Sequence, residues 1–463
     1  MARVAERAAG PAVGQLDQLP LSRFHWKLLL ISGIGWLFDA MDILIVGSVV
    51  AAVSREWGLD ATEAQWINTA NLAGLFVGAL ASGVLADRLG RRLVFAATLL
   101  LYSIFNGLSA AATGLGMLMA LRFLAGLGLG GELPVAATMV SEFMPAKRRG
   151  FMVVLLESFW AYGSVAAALI AFLVIPTWGW RVALLIGALP AFYAFVIRRA
   201  LPESPRYLAS QGRHAEADAI VRRIAEESGV ALATAPEPAP AAAEPPQRAG
   251  VAQLFAAPYL GRTLVLWAMW ATMNFSYYGI FLWLPLQFTR RGFSLEQALL
   301  FNLIIAIAQI PGYFSAAYFV ERVGRKPTLV AYLLLAAVGA FFFGQEALAA
   351  RDIPAILIWG SVVSFFNLGA WGVVYTYTPE LYPTHLRGTG SGWAAACGRV
   401  FAFLAPLSIA WQIAVFGSDR TVFLAFTAVM VLGGVVVALF GPETRGQSLD
   451  AITPEDRPMP AMG

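Results

Sequence analysis

Stretches of about twenty apolar residues recur along the whole chain, each near the length that crosses bilayer hydrocarbon as a helix. Twelve can be marked, at about 26–53, 64–86, 93–112, 116–140, 150–174, 180–200, 262–289, 296–319, 328–347, 354–378, 388–413 and 420–441. A backbone facing lipid has to satisfy its own hydrogen bonds, so these segments read as helices. The expectation is an all-α membrane protein with twelve transmembrane helices. Composition agrees: 59% of the residues are hydrophobic and 13% charged, where a soluble chain carries about 25% charged residues. The first stretch is long, holds two aspartates and is followed by eleven more, so it is not read as a cleavable signal peptide.

The loops between these segments repeat. Asp87-Arg88-Leu89-Gly90-Arg91-Arg92 is echoed 234 positions later by Glu321-Arg322-Val323-Gly324-Arg325-Lys326. Glu142-Phe143-Met144-Pro145, closing on Arg149-Gly150, is echoed at an offset of 238 by Glu380-Leu381-Tyr382-Pro383, closing on Arg387-Gly388. Pro202-Glu203-Ser204 returns as Pro442-Glu443-Thr444, 240 positions on. Three landmarks in the same order at nearly constant spacing imply two six-helix pseudo-symmetric halves, at 23–200 and 260–442. A central loop and linker at 201–259 separates them, and tails at 1–22 and 443–463 flank them. Residues 203–227 are charged and read as short helices, 234–246 as a flexible Ala-Pro-Glu linker, and the tails as disordered. Duplicated membrane halves mark a transporter that rocks around a central site.

The pI near 9.2 invites a nucleic-acid reading, but the distribution of charge opposes it. With twelve spans both termini share one side, and 24 of the 32 Lys and Arg fall there. Six fall opposite, Arg55, Arg181, Arg290, Arg291, Arg351 and Arg420, while Arg122 and Arg399 lie inside helices. The positive-inside rule then places both termini in the cytoplasm of a bacterial-type inner membrane. Cys397 is the one cysteine, so no internal disulfide is possible. His25, His214 and His385 read as lone surface residues at membrane edges and in loops, with no metal site. No Ser-His-Asp set, metal cluster or phosphate loop is visible, and the only hydrophilic insert is Ala-Pro-rich. The chain is therefore read as no enzyme and as needing no cofactor. Its expected partners are a small solute, a proton and the lipid bilayer; it is expected to act as a monomer.

Gly90 suits the tight turn between helices 2 and 3, and the arginines around it hold that loop in the cytoplasm. Asp87 lies near a helix C-terminus, where an anion is disfavoured, so it needs a cation or another helix N-terminus. Such pairs can lock one face of a two-state protein. Asp87, Arg91, Glu142 and Arg149, with Glu321, Arg325, Glu380 and Arg387 in the second copy, are gating candidates; plain topological anchoring is the alternative. This loop pattern resembles the signature of the major facilitator superfamily. Further segments narrow the likeness: Gly35–Asp42, Gly130–Val135, Leu156–Trp160, Phe275–Pro285, Pro311–Ala317 and Ser364–Gly372. Together they resemble the bacterial niacin (nicotinate) permeases, in the branch with synaptic-vesicle-protein-like and organic-ion transporters. The resemblance implies a major facilitator fold and import of nicotinate or a close aromatic carboxylate.

An ionisable residue near the bilayer centre costs roughly 2.5–3.5 kcal/mol, so each is a functional candidate. The acids are Asp39, Asp42, Glu132 and Glu157, and the bases Arg122 and Arg399. Asp39 and Asp42 share a helix face at i, i+3, which suits a proton carrier or pairing with an arginine. The resemblance links Arg122 to proton coupling; a structural ion pair is the alternative, with Glu157 as one conceivable partner. Glu132 is ten residues on, about 15 Å along the axis, too far to pair with it. Arg399 suits a substrate carboxylate through its planar fork, or else a solvated vestibule. Asn367, Trp371 and Tyr375 stand at i, i+4, i+8, Asn274 and Tyr278 at i, i+4, and Asn302 and Gln309 seven apart. With Trp160 and Trp283 they suit a cavity wall that stacks on a flat ring, or else ordinary packing. An organic cation remains an alternative solute, and a non-transporting receptor an alternative class.

Overall fold

The computed structural model describes residues 15–16, 19–145, 148–230, 251–347, 352–382 and 384–445. Among these residues the chain is helical, with no strand. The first half comprises α1 (Arg23–Trp57), α2 (Ala61–Leu89), α3 (Arg91–Ser109), α4 (Leu115–Phe143), α5 (Arg149–Glu157), α6 (Phe159–Ile186) and α7 (Pro190–Ala200). Two short helices follow, α8 (Pro205–Ser210) and α9 (His214–Glu227), where the sequence predicts them. The second half comprises α10 (Ala257–Arg290), α11 (Leu295–Ile307), α12 (Gln309–Arg322), α13 (Arg325–Phe342) with a π-turn at Phe343–Ala347, α14 (Ile353–Glu380), α15 (Thr384–Phe416) and α16 (Asp419–Phe440).

These elements form the twelve expected spans once three interruptions are understood. Gly179, at φ 80°, turns the chain inside α6, so the helix serves two spans in succession. Only glycine takes that conformation without strain. Span five is broken at Ser158, between α5 and α6. Span eight is broken at Ala308, where Pro311 has no N–H to donate back to α11. Among the described residues, eight helices have a window long and apolar enough to cross a membrane by composition alone.

Helix starts are held by local chemistry. Ser294 and Gln297 form a reciprocal capping box at 3.0 and 3.1 Å before α11. Asp60 accepts from the Thr62 and Glu63 amides at 2.7 and 2.8 Å and starts α2. His25 departs from expectation: it is fully buried, and its Nδ1 accepts from the Ser22 amide at 3.1 Å. Burial wins because this acceptor satisfies the amide as α1 begins. Leu16 packs with Tyr207, Leu208, Ala217 and Val221 of α8 and α9; most of the tail read as disordered lies outside the described residues.

Contacts divide the chain into two compact units. The first holds 1–43, 73–163 and 181–243; the second holds 44–72, 164–180 and 244–463. In the first, α2 and α4 approach backbone to backbone. A Cβ on Gly74 or Gly78 would stand 2.0 Å from the carbonyl oxygen of Phe123 or Leu127, and one on Gly130 1.9 Å from that of Leu75. In the second, a Cβ on Gly312 of α12 would stand 2.2 Å from the Phe365 oxygen of α14. Spans two and four thus repeat as eight and ten, so the duplication reaches packing as well as loops. Within the second unit, the last part of α1 meets α10, with a Cβ on Gly47 falling 2.6 Å from the Leu282 oxygen.

Small residues at such crossings let helices associate without a hydrophobic force between them. Gly130→Ala is expected to destabilise the detergent-solubilised protein by about 1–3 kcal/mol through overpacking. Gly116→Ala, with nothing within 4 Å, is the matched control. Equal melting temperatures for the two variants would refute the close α2–α4 approach.

Candidate functional site

The repeated loops build the same device twice. In the first unit the Glu203 carboxylate accepts from the Arg92 amide at 3.3 Å, at the start of α3. In the second, Glu443 accepts from the Arg325 and Lys326 amides, both at 3.1 Å, at the start of α13. Gly90 (φ 99°) and Gly324 (φ 123°) precede these helices, and a Cβ on either would fall 2.5 or 2.6 Å from the carboxylate. Glycine is required there twice over, for the turn and for the approach. The helix N-terminus is thus filled by the glutamate of the Pro-Glu-Ser/Thr repeat, which is not among the gating candidates named from the sequence. A carboxylate is favoured at that end of the helix dipole.

The second copy adds a charged clamp. Arg325 forks onto Glu380 through Nε and Nη2 at 3.2 and 3.1 Å, and the Thr444 hydroxyl donates to the same carboxylate. Glu321 stands 3.6 Å from Arg325 but is 73% exposed, a weak pair. In the first copy Arg206 donates to the Glu142 carbonyl at 3.4 Å and Tyr207 to the Arg88 carbonyl at 3.1 Å. The side chains of Asp87, Arg91, Glu132, Arg149 and Arg387 lie outside the described residues.

Deeper in the first unit, Arg122 of α4 is fully buried and reaches across to α3 and α1. Its Nη2 donates to Asn106 at 2.7 Å and to Ser109 at 2.9 Å. Its Nη1 faces Asp42 at 4.0 Å, with both side chains fully buried. The arginine is therefore held by neutral acceptors while its charge is met, loosely, by one carboxylate. Asp39 is buried one turn earlier on α1. Glu157 is buried at the end of α5 and is not the partner of Arg122. Trp160, half-buried, begins α6 just beyond the break. Asn106 and Ser109 escape a search restricted to charges, since neutral side chains carry no such signal.

In the second unit, aromatic rings of α10 and α14 form a wall. Trp270 meets Trp371 and Tyr375 edge-on, each at 5.4 Å, and Trp371 lies 5.5 Å from Tyr375. Tyr277 continues the wall, 6.4 Å from Trp371 and 5.4 Å from Tyr278. The Trp270 indole donates to Thr378 at 2.9 Å, and Asn274 donates to the Trp270 carbonyl at 2.9 Å. A Cβ on Gly398 would stand 2.4 Å from the Asn274 amide nitrogen, so α15 packs tightly here. The next residue, half-buried Arg399, is at the middle of the 33-residue α15.

Other named residues have structural employment. Gln309 accepts from Ser164 at 2.6 Å and Asn367 donates to Ser276 at 3.0 Å, each tying two helices. Trp283 is fully buried and stacks on Phe423 at 5.4 Å, apart from the Trp371 wall. Trp270 and Tyr277 were missed, although Trp270, Asn274, Tyr277 and Phe281 stand at i, i+4, i+7, i+11. Gln65, Asn68 and Asn71 form a buried amide row on α2, with Asn68 donating to Gln65 at 3.1 Å, also missed.

Two six-helix halves, paired cytoplasmic-type loops and buried charges define a transporter of the major facilitator fold. Residues 34–455 match the sugar (and other) transporter family, and the chain belongs to it. It is 44% identical over 440 residues to a niacin transporter of Acinetobacter baylyi, covering 95% of this chain and 99% of that protein. It is 31% identical over 492 residues to organic cation/carnitine transporter 7 of Arabidopsis thaliana, covering 96% of each. The xylose transporter XylE of E. coli, in a partially occluded inward-open state, superposes with a TM-score of 0.75 at 18% identity. That match covers 92% of this chain and all of XylE, and extends to the fold. The protein is a multi-pass membrane transporter and not an enzyme.

Replacing Glu443 or Glu203 by alanine removes a helix cap and is expected to cost about 0.5–2 kcal/mol of stability. Thermal unfolding in detergent measures it. A Glu443→Ala variant as stable as the parent would show that the capping contact contributes nothing.

Proposed function

We propose that this transporter imports nicotinate together with a proton by alternating access. The observation that carries the reading is its 44% identity, along nearly the whole of both chains, to a niacin transporter. The chemistry of the second unit fits such a solute. The wall of Trp270, Trp371 and Tyr375 offers ring faces and edges to a flat heteroaromatic. Arg399 supplies a bidentate partner for the carboxylate at mid-helix. A second reading, an organic cation, is supported by the 31% identity to the plant transporter and by the buried carboxylates.

Proton handling falls to the first unit. Asp42 with Arg122 is the central pair: protonating Asp42 removes the charge that faces the guanidinium and loosens α1 from α4. Asp39 and Glu157 are further carriers. One proton with one monoanion is electroneutral, so the pH gradient alone drives uptake. The termini are cytoplasmic, as the basic loops favour. In the second unit Arg325 with Glu380 and the Glu443 cap serve as cytoplasmic gating contacts, and in the first unit the Glu203 cap does. The Gly47–Leu282 crossing and the Ser164–Gln309 bond form the outer one. One chain holds both halves and acts as a monomer.

Uptake of radiolabelled nicotinate into proteoliposomes tests the substrate, against nicotinamide, benzoate, an organic cation and glucose. Nicotinate is expected to enter, and benzoate to compete. If nicotinate neither enters nor competes, the assignment fails; uptake of the cation alone would establish the second reading. Arg399→Ala is expected to abolish nicotinate uptake in a folded protein, and unchanged affinity would remove Arg399 from the site.

Coupling is tested by acidifying the outside, which is expected to accelerate uptake, and by a protonophore, which is expected to collapse accumulation. Asp42→Asn should leave exchange of nicotinate across the membrane while abolishing its pH-driven accumulation. Accumulation indifferent to the protonophore and to this substitution would identify a uniporter.

A further inference from the structure

Four cations from four elements line one cleft of about 260 Å³ in the first unit, at the helix ends nearest the termini. They are Lys27 of α1, Arg92 of α3, Arg199 of α7 and Arg223 of α9. One carboxylate shares the cleft: Glu227, 3.3 Å from Arg223. The lining therefore keeps a surplus of positive charge that its own acid does not cancel. Like charges gathered in a partly dry cleft repel, and an anion between them relieves that repulsion. The cluster is also partly preorganised, because the half-buried Arg92 guanidinium donates to the Arg198 carbonyl and so ties α3 to α7.

The same cleft borders a lipid-facing surface. On α7, Phe192, Phe195 and Arg199 share a face at i, i+3, i+7, and the two rings are 72% and 68% exposed. On α1, Trp26 and Leu30 are 47% and 54% exposed on either side of Lys27. Large apolar side chains bare on spanning helices meet acyl chains, and a tryptophan at such a helix end sits at headgroup level. The cations thus lie where an apolar ridge reaches the headgroup layer.

We propose that this cleft binds the phosphodiester headgroup of an anionic phospholipid, with the acyl chains lying along Phe192, Phe195 and Leu30. Basic pockets between helices on the positively charged side of a membrane protein suit such headgroups. The guanidinium forks grip the phosphate oxygens and Lys27 adds a point charge. The bound lipid braces α1, α3, α7 and α9 together. A soluble phosphate shares the headgroup chemistry but gains nothing from the apolar ridge.

The test uses the full chain, purified in a delipidating detergent, and reads binding, not transport, so it stands apart from the substrate assignment. Phosphatidylglycerol, phosphatidylcholine and glycerol 3-phosphate are added separately; melting temperature and native-mass-spectrometry adducts are recorded. Phosphatidylglycerol is expected to raise the melting temperature by several degrees and to persist as an adduct, while the other two do neither. In a Lys27→Gln/Arg199→Gln variant most of that shift and the adduct are expected to vanish. Arg213→Gln, outside the cleft on the exposed Glu216 pair, is expected to keep both. Should the double variant not fold, Arg199→Gln alone is read for loss of the adduct. Equal stabilisation by phosphatidylcholine, stabilisation by glycerol 3-phosphate, or an adduct undiminished in the cleft variants would each overturn the proposal.

Discussion

In hydrocarbon a polar group has no water to fall back on, and this constraint orders the whole chain. It makes the backbone of the spans helical apart from short interruptions. It also explains why breaks at Ser158, Ala308 and Gly179 are short and fall where neighbouring helices or a glycine take up the strain. The same constraint acts on side chains. Arg122 is affordable in the bundle because Asn106, Ser109 and Asp42 surround its guanidinium. Breaking such a buried set strands a charge, which is costlier than never having placed it there. A buried pair of this kind is poor evidence for stability and better evidence for a switch.

The duplication is expressed at three levels. In sequence it is a set of loop landmarks. In packing it is the glycine-mediated approach of spans two and four, repeated in eight and ten. In electrostatics it is one glutamate filling the N-terminus of the helix after each glycine turn. The third level links elements far apart in the chain, since Glu203 lies 111 positions from Arg92 and Glu443 118 from Arg325. Each half thereby fastens the segment after its last span to the start of its third.

Much of this was legible in the residues, for physical reasons that also mark the limits. The twelve spans are visible because length and hydrophobicity are local properties. The neutral partners of Arg122, Asn106 and Ser109, are not, because they carry no charge, whereas pairing of Asp42 with an arginine is among the sequence's own expectations. The roles of Glu203 and Glu443 were hidden because their targets are backbone amides, which every sequence has. On α10, Trp270 and Tyr277 meet Trp371, and Tyr278 stands 5.4 Å from Tyr277. On a helix one residue is about 100° of rotation, so apolar residues on all sides leave the inward face undecided. Gln309 and Asn367 hydrogen-bond to Ser164 and Ser276, partners that their residue types alone do not reveal.

The asymmetry between the halves is more telling than their likeness. The loops, caps and glycine crossings repeat, so they belong to the scaffold that moves. Among the described residues, the Asp42–Arg122 pair belongs to the first half and the Trp270–Trp371–Tyr375 wall to the second. A duplicated ancestor with identical halves would offer the same chemistry twice, and coupling needs two different chemistries biasing one equilibrium. A proton can shift that equilibrium only by interacting differently with the two states. Asp42, held 4.0 Å from a guanidinium that is otherwise satisfied, is a contact with room to tighten or release. The aromatic wall, by contrast, is braced by Thr378 and Asn274, suiting recognition more than motion. On the proposed reading, the loose contact in one unit lets a proton bias the scaffold while the braced wall in the other holds the solute site in shape.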